Sequence, residues 1–197
     1  MRRWNVTIPS LEEVERERER LRGRSRFRQI VISTACMLVV VAAAAALAAT
    51  LFLPVLRVSG DSMTPALQDQ DVILLWKTSR LKAGDLVGFS WQNKLLLKRV
   101  VGLPGDVIAI DENGVLTRNG QVVEEPYVDE PALGECSVTF PYQVPENRYF
   151  VLGDHRSTSI DSRSSMIGCV EKDQLIGKVV LKIWPMPFCW IRTYDLG

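Results

Sequence analysis

From Ile30 to Leu53 the chain carries no charged residue, and most of its side chains there are aliphatic. A run of about 24 residues spans roughly 36 Å as an α-helix, enough to cross the hydrocarbon core of a bilayer. A helix apolar on every side needs lipid or a large protein core around it, and 197 residues supply material for one domain of ordinary size. The run therefore divides the chain into a charged, helical segment 1–29, a transmembrane helix 30–53 and a folded domain 54–197. Arg22, Arg24, Arg26 and Arg28 stand immediately before it. By the positive-inside bias that flank stays in the cytoplasm and the domain lies across the membrane. A cleaved signal peptide is the alternative, since Ala44-Ala45-Ala46 offers small residues at the required spacing. Against it, the run outlasts an ordinary signal core and would hold those alanines deep in the membrane.

The charged segment opens with Ser10 as N-cap and Glu13 closing a capping box. Glu13 with Arg16, Glu15 with Arg18, Glu17 with Arg20 and Glu19 with Arg22 stand at i,i+3 spacing, the pattern of a solvated helix. Only Leu11, Val14 and Leu21 make an apolar stripe, too little to argue for a coiled coil. Over the whole chain 24 Lys and Arg face 23 Asp and Glu, which gives no reason to expect nucleic-acid binding.

Beyond Pro54 short β-branched and aromatic runs replace the helical pattern. Val72–Trp76, Leu86–Trp91, Leu95–Val101, Val107–Ile110, Tyr149–Leu152 and Ile176–Ile183 read as strands bounded by Gly, Pro, Asp and Asn. Asn113-Gly114 and Asn119-Gly120 mark tight turns. The domain is mainly β, closing as a barrel or sandwich. Residues 124–147, with four prolines, form a long irregular excursion. The apolar C-terminal stretch Trp184–Ile191 is broken by prolines and reads either as core packing or as interfacial contact with a bilayer. Cys36 fills space in the membrane helix. Cys136, Cys169 and Cys189 show no metal-ligand spacing and allow at most one bridge.

Ser62 sits in Gly60-Asp61-Ser62-Met63-Thr64-Pro65, and Lys98 ends the apolar run Leu95-Leu96-Leu97-Lys98. With a single histidine in the chain, a serine nucleophile here looks to another base. An apolar strand that carries an amine out of water lowers its pKa and leaves some of it neutral, able to take the serine proton. Alternation puts Leu96 and Lys98 on one strand face and Leu97 and Arg99 on the other. Leu56 and Val58 alternate onto one face of the segment leading to Ser62. With Met63, Leu67 and Leu96 they can form shallow apolar pockets that admit small side chains and exclude bulky ones. An extended peptide can add to the strand edge beside them.

Together with Gly153-Asp154-His155-Arg156-Ser157-Thr158-Ser159-Ile160-Asp161-Ser162-Arg163, these boxes resemble bacterial type I signal peptidases, also called leader peptidases, a Ser/Lys peptidase family. The resemblance runs from the membrane segment onward, and the short excursion is similar to the compact Gram-positive forms. It implies a membrane-anchored serine endopeptidase that cleaves secretory preproteins on the outer face of the cytoplasmic membrane after small-x-small sites. It also implies an acyl-enzyme on Ser62 with Lys98 as base, and no metal or organic cofactor. Ser159 matches the serine that orients the lysine, and the Ser62 N–H the first oxyanion donor. Arg99 would pair with Asp154, and Asp161 with Arg163. The chain departs from the pattern at Gly60, where some members supply a serine hydroxyl as second oxyanion donor, so that donor stays open among groups of the Gly60 region. It departs again at Ala66 for threonine and at His155 for asparagine. His155, in a polar loop without an apolar wall, reads as loop-stabilising rather than as a rival base. Two other classes remain to be weighed: a self-cleaving repressor, which would need a DNA-binding module where this chain has its apolar run, and a non-enzymatic peptide-binding β domain.

Overall fold

The computed structural model describes residues 10–78, 80–191, 193, 194 and 196, without the side chains of residues 17, 19 and 21–25. The chain gathers into two compact units, residues 1–50 and 51–197. A single helix, α1 (Leu11–Phe52), runs through the charged segment and the apolar run without a break. Its start is the expected capping box: the Ser10 N–H donates to Glu13 Oε2 at 3.0 Å and the Glu13 N–H to Ser10 Oγ at 3.4 Å. Of the i,i+3 ion pairs, Glu13–Arg16 and Glu15–Arg18 do not form among the described side chains. Glu13 is occupied by the cap, and the pair among the described side chains is Arg16 with Glu12 at i,i+4. The pairs Glu17–Arg20 and Glu19–Arg22, and the arginines at 22 and 24, lie outside the described side chains. Residues 26–52 make a helix long and apolar enough to cross a membrane, with its described side chains exposed.

The second unit is built of β-strands. One sheet has the order β1 (Val55–Arg57), β2 (Val72–Trp76), β11 (Leu175–Trp184), β3 (Leu86–Trp91), β4 (Lys94–Gly102), β9 (Arg148–Leu152), β10 (Val170–Glu171), with β12 (Cys189–Trp190) attached to β11. A second sheet runs β7 (Gln121–Val122), β6 (Leu116–Arg118), β5 (Val107–Ile110), β8 (Tyr142–Gln143). Asn119 and Gly120, at φ 55° and 80°, make the left-handed turn that joins β6 to β7.

Three apolar clusters hold these sheets, and two of them flank β4. Val58, Met63, Leu67, Ile73 and Leu75 pack together with Leu97 against them, while Val87, Phe89, Val100 and Val151 pack with Leu96. Fully burying each such side chain contributes about 1.5–3 kcal/mol. Strand β4 changes neighbours midway. Its residues 94–99 pair with β3, but β9 joins its other edge only from Arg99 onward. Residues 94–98 therefore keep one edge unpaired by any described strand.

Of the C-terminal stretch, Ile191 packs against the cluster of Val58 and Met63, while its larger apolar side chains stay outside the core. Trp184, Met186, Phe188 and Trp190 are all more than half exposed. All four cysteines are free thiols, and burial pushes the Cys169 thiol above its ordinary range.

Candidate active site

Strand β1 delivers the chain to Ser62 through a closed loop. The Val58 N–H donates to Asp71 O at 2.8 Å and the Gln70 N–H to Val58 O at 3.0 Å, so residues 58–71 form a loop cinched at its base. Inside it, Ser62 to Ala66 turn sharply, and the Leu67 N–H reaches back to Met63 O at 2.8 Å. That turn rotates Leu67 fully into the core, with no exposed surface.

Lys98 comes from the point on β4 where the strand passes from open edge to paired edge. Its Nζ donates to Ser62 Oγ at 2.8 Å, and the residue is 4% exposed. Burial lowers the Lys98 pKa from the ordinary 10.5; Asp161 and Asp154 pull it back up, while Arg163 pushes it further down. Neither carboxylate is free to neutralise it. Asp154 takes Arg99 Nε at 2.8 Å and Nη2 at 2.6 Å, and Asp161 takes Arg163 Nε and Nη2, each at 2.8 Å. An amine stripped of water beside a hydroxyl is arranged to hold or receive that hydroxyl's proton.

The loop 153–163 closes the site from the other side. A Cβ on Gly153 would stand 2.1 Å from Ser159 Oγ and 2.7 Å from the Ser62 carbonyl, so only glycine fits there. The His155 N–H donates to the Ser62 carbonyl at 3.2 Å, and its Nδ1 lies 3.4 Å from Thr64 Oγ1. His155 thus touches the backbone of Ser62 and not its hydroxyl. Ser159 is buried, yet its Oγ has no hydrogen-bond partner among the described residues. The expected bond from Ser159 to the Lys98 amine is not formed in this conformation.

Sequence reasoning missed the anchors of this loop. Arg156 forms a buried pair with Glu125, Nη1 to Oε2 at 2.8 Å, and Arg163 Nη1 donates to Leu133 O at 2.7 Å. Arg99 lies 3.9 Å from the ring centroid of Tyr127, a cation–π contact. The irregular excursion is therefore pinned under the site by three buried arginines. Nothing in the spacing of Glu125 or Tyr127 announced it.

A cleft of about 120 Å³ opens at Ser62 and Lys98, lined by Val58, Met63, Leu95, Leu96 and Leu97, with Arg57 and Ser59 among its other borders. Val58, Met63 and Leu96 were expected there. Leu56 and Leu67 are not among its lining residues: Leu56 packs half-buried on the core cluster of Val58 and Met63, and Leu67 lies inside that cluster. Leu97 was assigned to the opposite strand face, but the cleft follows the open edge of β4 and so meets residues from both faces. The Ser62 N–H donates to nothing among the described residues. The Gly60 N–H, by contrast, is engaged by Asp69 Oδ1 at 2.9 Å.

Residues 30–184 match the family model for signal peptidase, peptidase S26. The chain is similar to signal peptidase I of Bacillus licheniformis, 37% identical over 162 residues that cover 76% of this chain and 84% of that one. It is similar also to signal peptidase I U of Bacillus subtilis, 36% identical over 147 residues covering 68% and 78%. Signal peptidase IB of Staphylococcus aureus is 34% identical over 149 residues, covering 65% and 76%. A solved signal peptidase I from Enterococcus faecalis matches at 28% identity over 50% of this chain and 96% of its own, with a TM-score of 0.41. With the family model spanning most of its length and relatives above 30% identity, this chain belongs to the signal peptidase family, peptidase S26.

Proposed function

We propose that Ser62 and Lys98 are the dyad with which this serine peptidase removes signal peptides, and that the reaction passes through an acyl-enzyme. The observation that carries the reading is the 2.8 Å hydrogen bond between Lys98 Nζ and Ser62 Oγ, made by an amine buried without a carboxylate of its own. Neutral Lys98 takes the Ser62 proton as Oγ attacks the scissile carbonyl carbon. The developing oxyanion is met by the uncommitted Ser62 N–H. The Lys98 ammonium then gives its proton to the leaving amine, and the signal peptide remains esterified to Ser62. Water, deprotonated by Lys98, hydrolyses the ester and restores both groups. Ser159, its hydroxyl free beside them, orients the amine once substrate fills the cleft.

Preprotein substrate enters as an extended strand along the open edge of β4, residues 94–98, where main-chain hydrogen bonds supply affinity. Val58, Met63, Leu96 and Leu97 leave room for small side chains at the first and third positions before the cut. The apolar part of α1 anchors the chain in the bilayer, with residues 1–29 in the cytoplasm and residues 54–197 outside. The exposed Trp184, Phe188 and Trp190 suit the headgroup zone.

Cleavage of a model preprotein by the full chain in detergent micelles, with mass determination of the cut site, tests this reading. Ser62→Ala and Lys98→Ala should each abolish cleavage, and cuts should follow small residues. Substantial activity in Lys98→Ala would refute the dyad. Protease added to intact protoplasts should digest the β unit and spare an N-terminal epitope; the reverse pattern would refute the orientation.

A further inference from the structure

The loop that presents Ser62 contains one side-chain tie that the reaction as described does not use. Asp69 Oδ1 accepts the Gly60 N–H at 2.9 Å, and its Oδ2 accepts Gln70 Nε2, also at 2.9 Å. These two bonds, the Gln70 amide first, hold the Asp69 carboxyl below its ordinary value. The carboxylate is therefore an ionised, committed acceptor at neutral pH. Gly60 stands two residues before Ser62 with φ +92°, and Gln70 beside Asp69 also has a left-handed φ, 72°. The latter conformation is costly for a residue other than glycine. Two segments of one loop, each holding a residue at positive φ, are thus joined by Asp69.

Asp69 is itself exposed and belongs to none of the core clusters. The base of the loop is closed independently by Val58 with Gln70 and Asp71, and Asp71 is held by Lys182 Nζ at 3.2 Å. Removing the Asp69 side chain therefore leaves the loop closed and the core untouched. What it frees is the Ser59–Gly60 peptide plane. That plane leads through Asp61 to the Ser62 N–H, which donates to no described group.

We propose that Asp69 is a positioning residue for the oxyanion donor: by fixing the Gly60 N–H it sets the direction of the Ser62 N–H. This rests on Ser62 being the nucleophile. The useful property is the acceptor oxygen and not the charge, because a negative charge beside a developing oxyanion opposes it. A donor that must point at charge formed only in the transition state affects turnover and leaves substrate binding unchanged.

The experiment measures kcat and KM of the full chain on a model preprotein in detergent micelles, beside the melting temperature. Asp69→Ala should lose about tenfold or more in kcat, with KM within about twofold and the melting temperature nearly unchanged. Asp69→Asn, which keeps an acceptor oxygen, should restore most of that turnover. Gly60→Ala meets no neighbour within 4 Å, so only its backbone conformation resists it. It should lower kcat as Asp69→Ala does, and the double variant should be little slower than either single one. Wild-type turnover in Asp69→Ala beside an inactive Ser62→Ala would overturn this inference alone, as would Asp69→Asn as slow as Asp69→Ala or a loss confined to KM. Activity retained in Ser62→Ala would overturn the dyad and this inference with it.

Discussion

Replacing Lys98 by methionine should inactivate the enzyme and stabilise it. Lys98 is 4% exposed, its side-chain partner is Ser62 Oγ, and the nearby Asp154 and Asp161 are already bound by arginines. Methionine fills nearly the same volume without charge. It forfeits one hydrogen bond, about 1 kcal/mol. It also removes a buried cation whose desolvation costs several kcal/mol even after relaxation, so a net gain of about 1–3 kcal/mol is expected. For a protein of this size that is a rise of roughly 2–12 °C in melting temperature. The pH dependence follows from the lowered Lys98 pKa. Between that lowered value and 10.5 the unfolded chain binds more protons than the folded one, so wild-type stability rises with pH across this window. The variant has no such group. Its advantage is full below the lowered pKa and fades as pH climbs towards 10.5. Melting followed by circular dichroism in micelles at several pH values reads the effect, and preprotein cleavage should fall by about 10²–10⁴ or more. A variant less stable than wild type near neutrality would refute the argument, because Lys98 would then be a satisfied cation and a poor base.

In the wild type, cleavage should rise with pH along an acid limb whose midpoint lies below 10.5, since only the neutral amine accepts a proton; a flat profile would oppose Lys98 as base. Asp154→Asn should cost about 3–5 kcal/mol in denaturant unfolding, because it strands a buried Arg99 cation; a loss under about 1 kcal/mol would show the pair to be dispensable. Ser159→Ala should leave stability unchanged or raise it by about 1 kcal/mol, as it deletes an unpartnered buried hydroxyl, while lowering turnover. Unchanged turnover would remove Ser159 from the mechanism. Leu67→Ala should destabilise by about 2–5 kcal/mol yet keep the preference for small residues, and a changed preference would return Leu67 to the substrate cleft.

The strands that were legible carry side-chain pattern over four residues or more, as in Val72–Trp76, Leu86–Trp91 and Val107–Ile110. Strands of two residues, such as β7, β8, β10 and β12, have no period to read and exist because a partner strand lies beside them. Nor does local pattern disclose that β11 inserts between β2 and β3. The candidates Ser62 and Lys98, which the structure brings within hydrogen-bond distance, were visible because the chemistry proposed for them dictates residue types and neighbours. Leu67 lies in the core rather than the cleft because the turn at residues 62–66 carries it inward, which its apolar character alone does not disclose, and the Asp69 tie was invisible because an exposed aspartate nine residues from a glycine has no signature. The C-terminal aromatics were ambiguous from composition, which does not distinguish a core from a surface that meets something apolar.

The half-open strand β4 also poses a problem of self-avoidance. A row of unsatisfied main-chain groups flanked by leucines invites pairing with any extended chain, including another copy of the enzyme or its own unfolded relatives. The open stretch is short, residues 94–98, and a lysine stands at each end of it, exposed Lys94 at one and buried Lys98 at the other. Two copies pairing edge to edge in antiparallel fashion would have to strip water from the exposed Lys94 of each and would still gain only a few backbone bonds. Neutralising Lys94 would therefore threaten solubility before it threatened catalysis, and would turn a docking edge into a seed for aggregation.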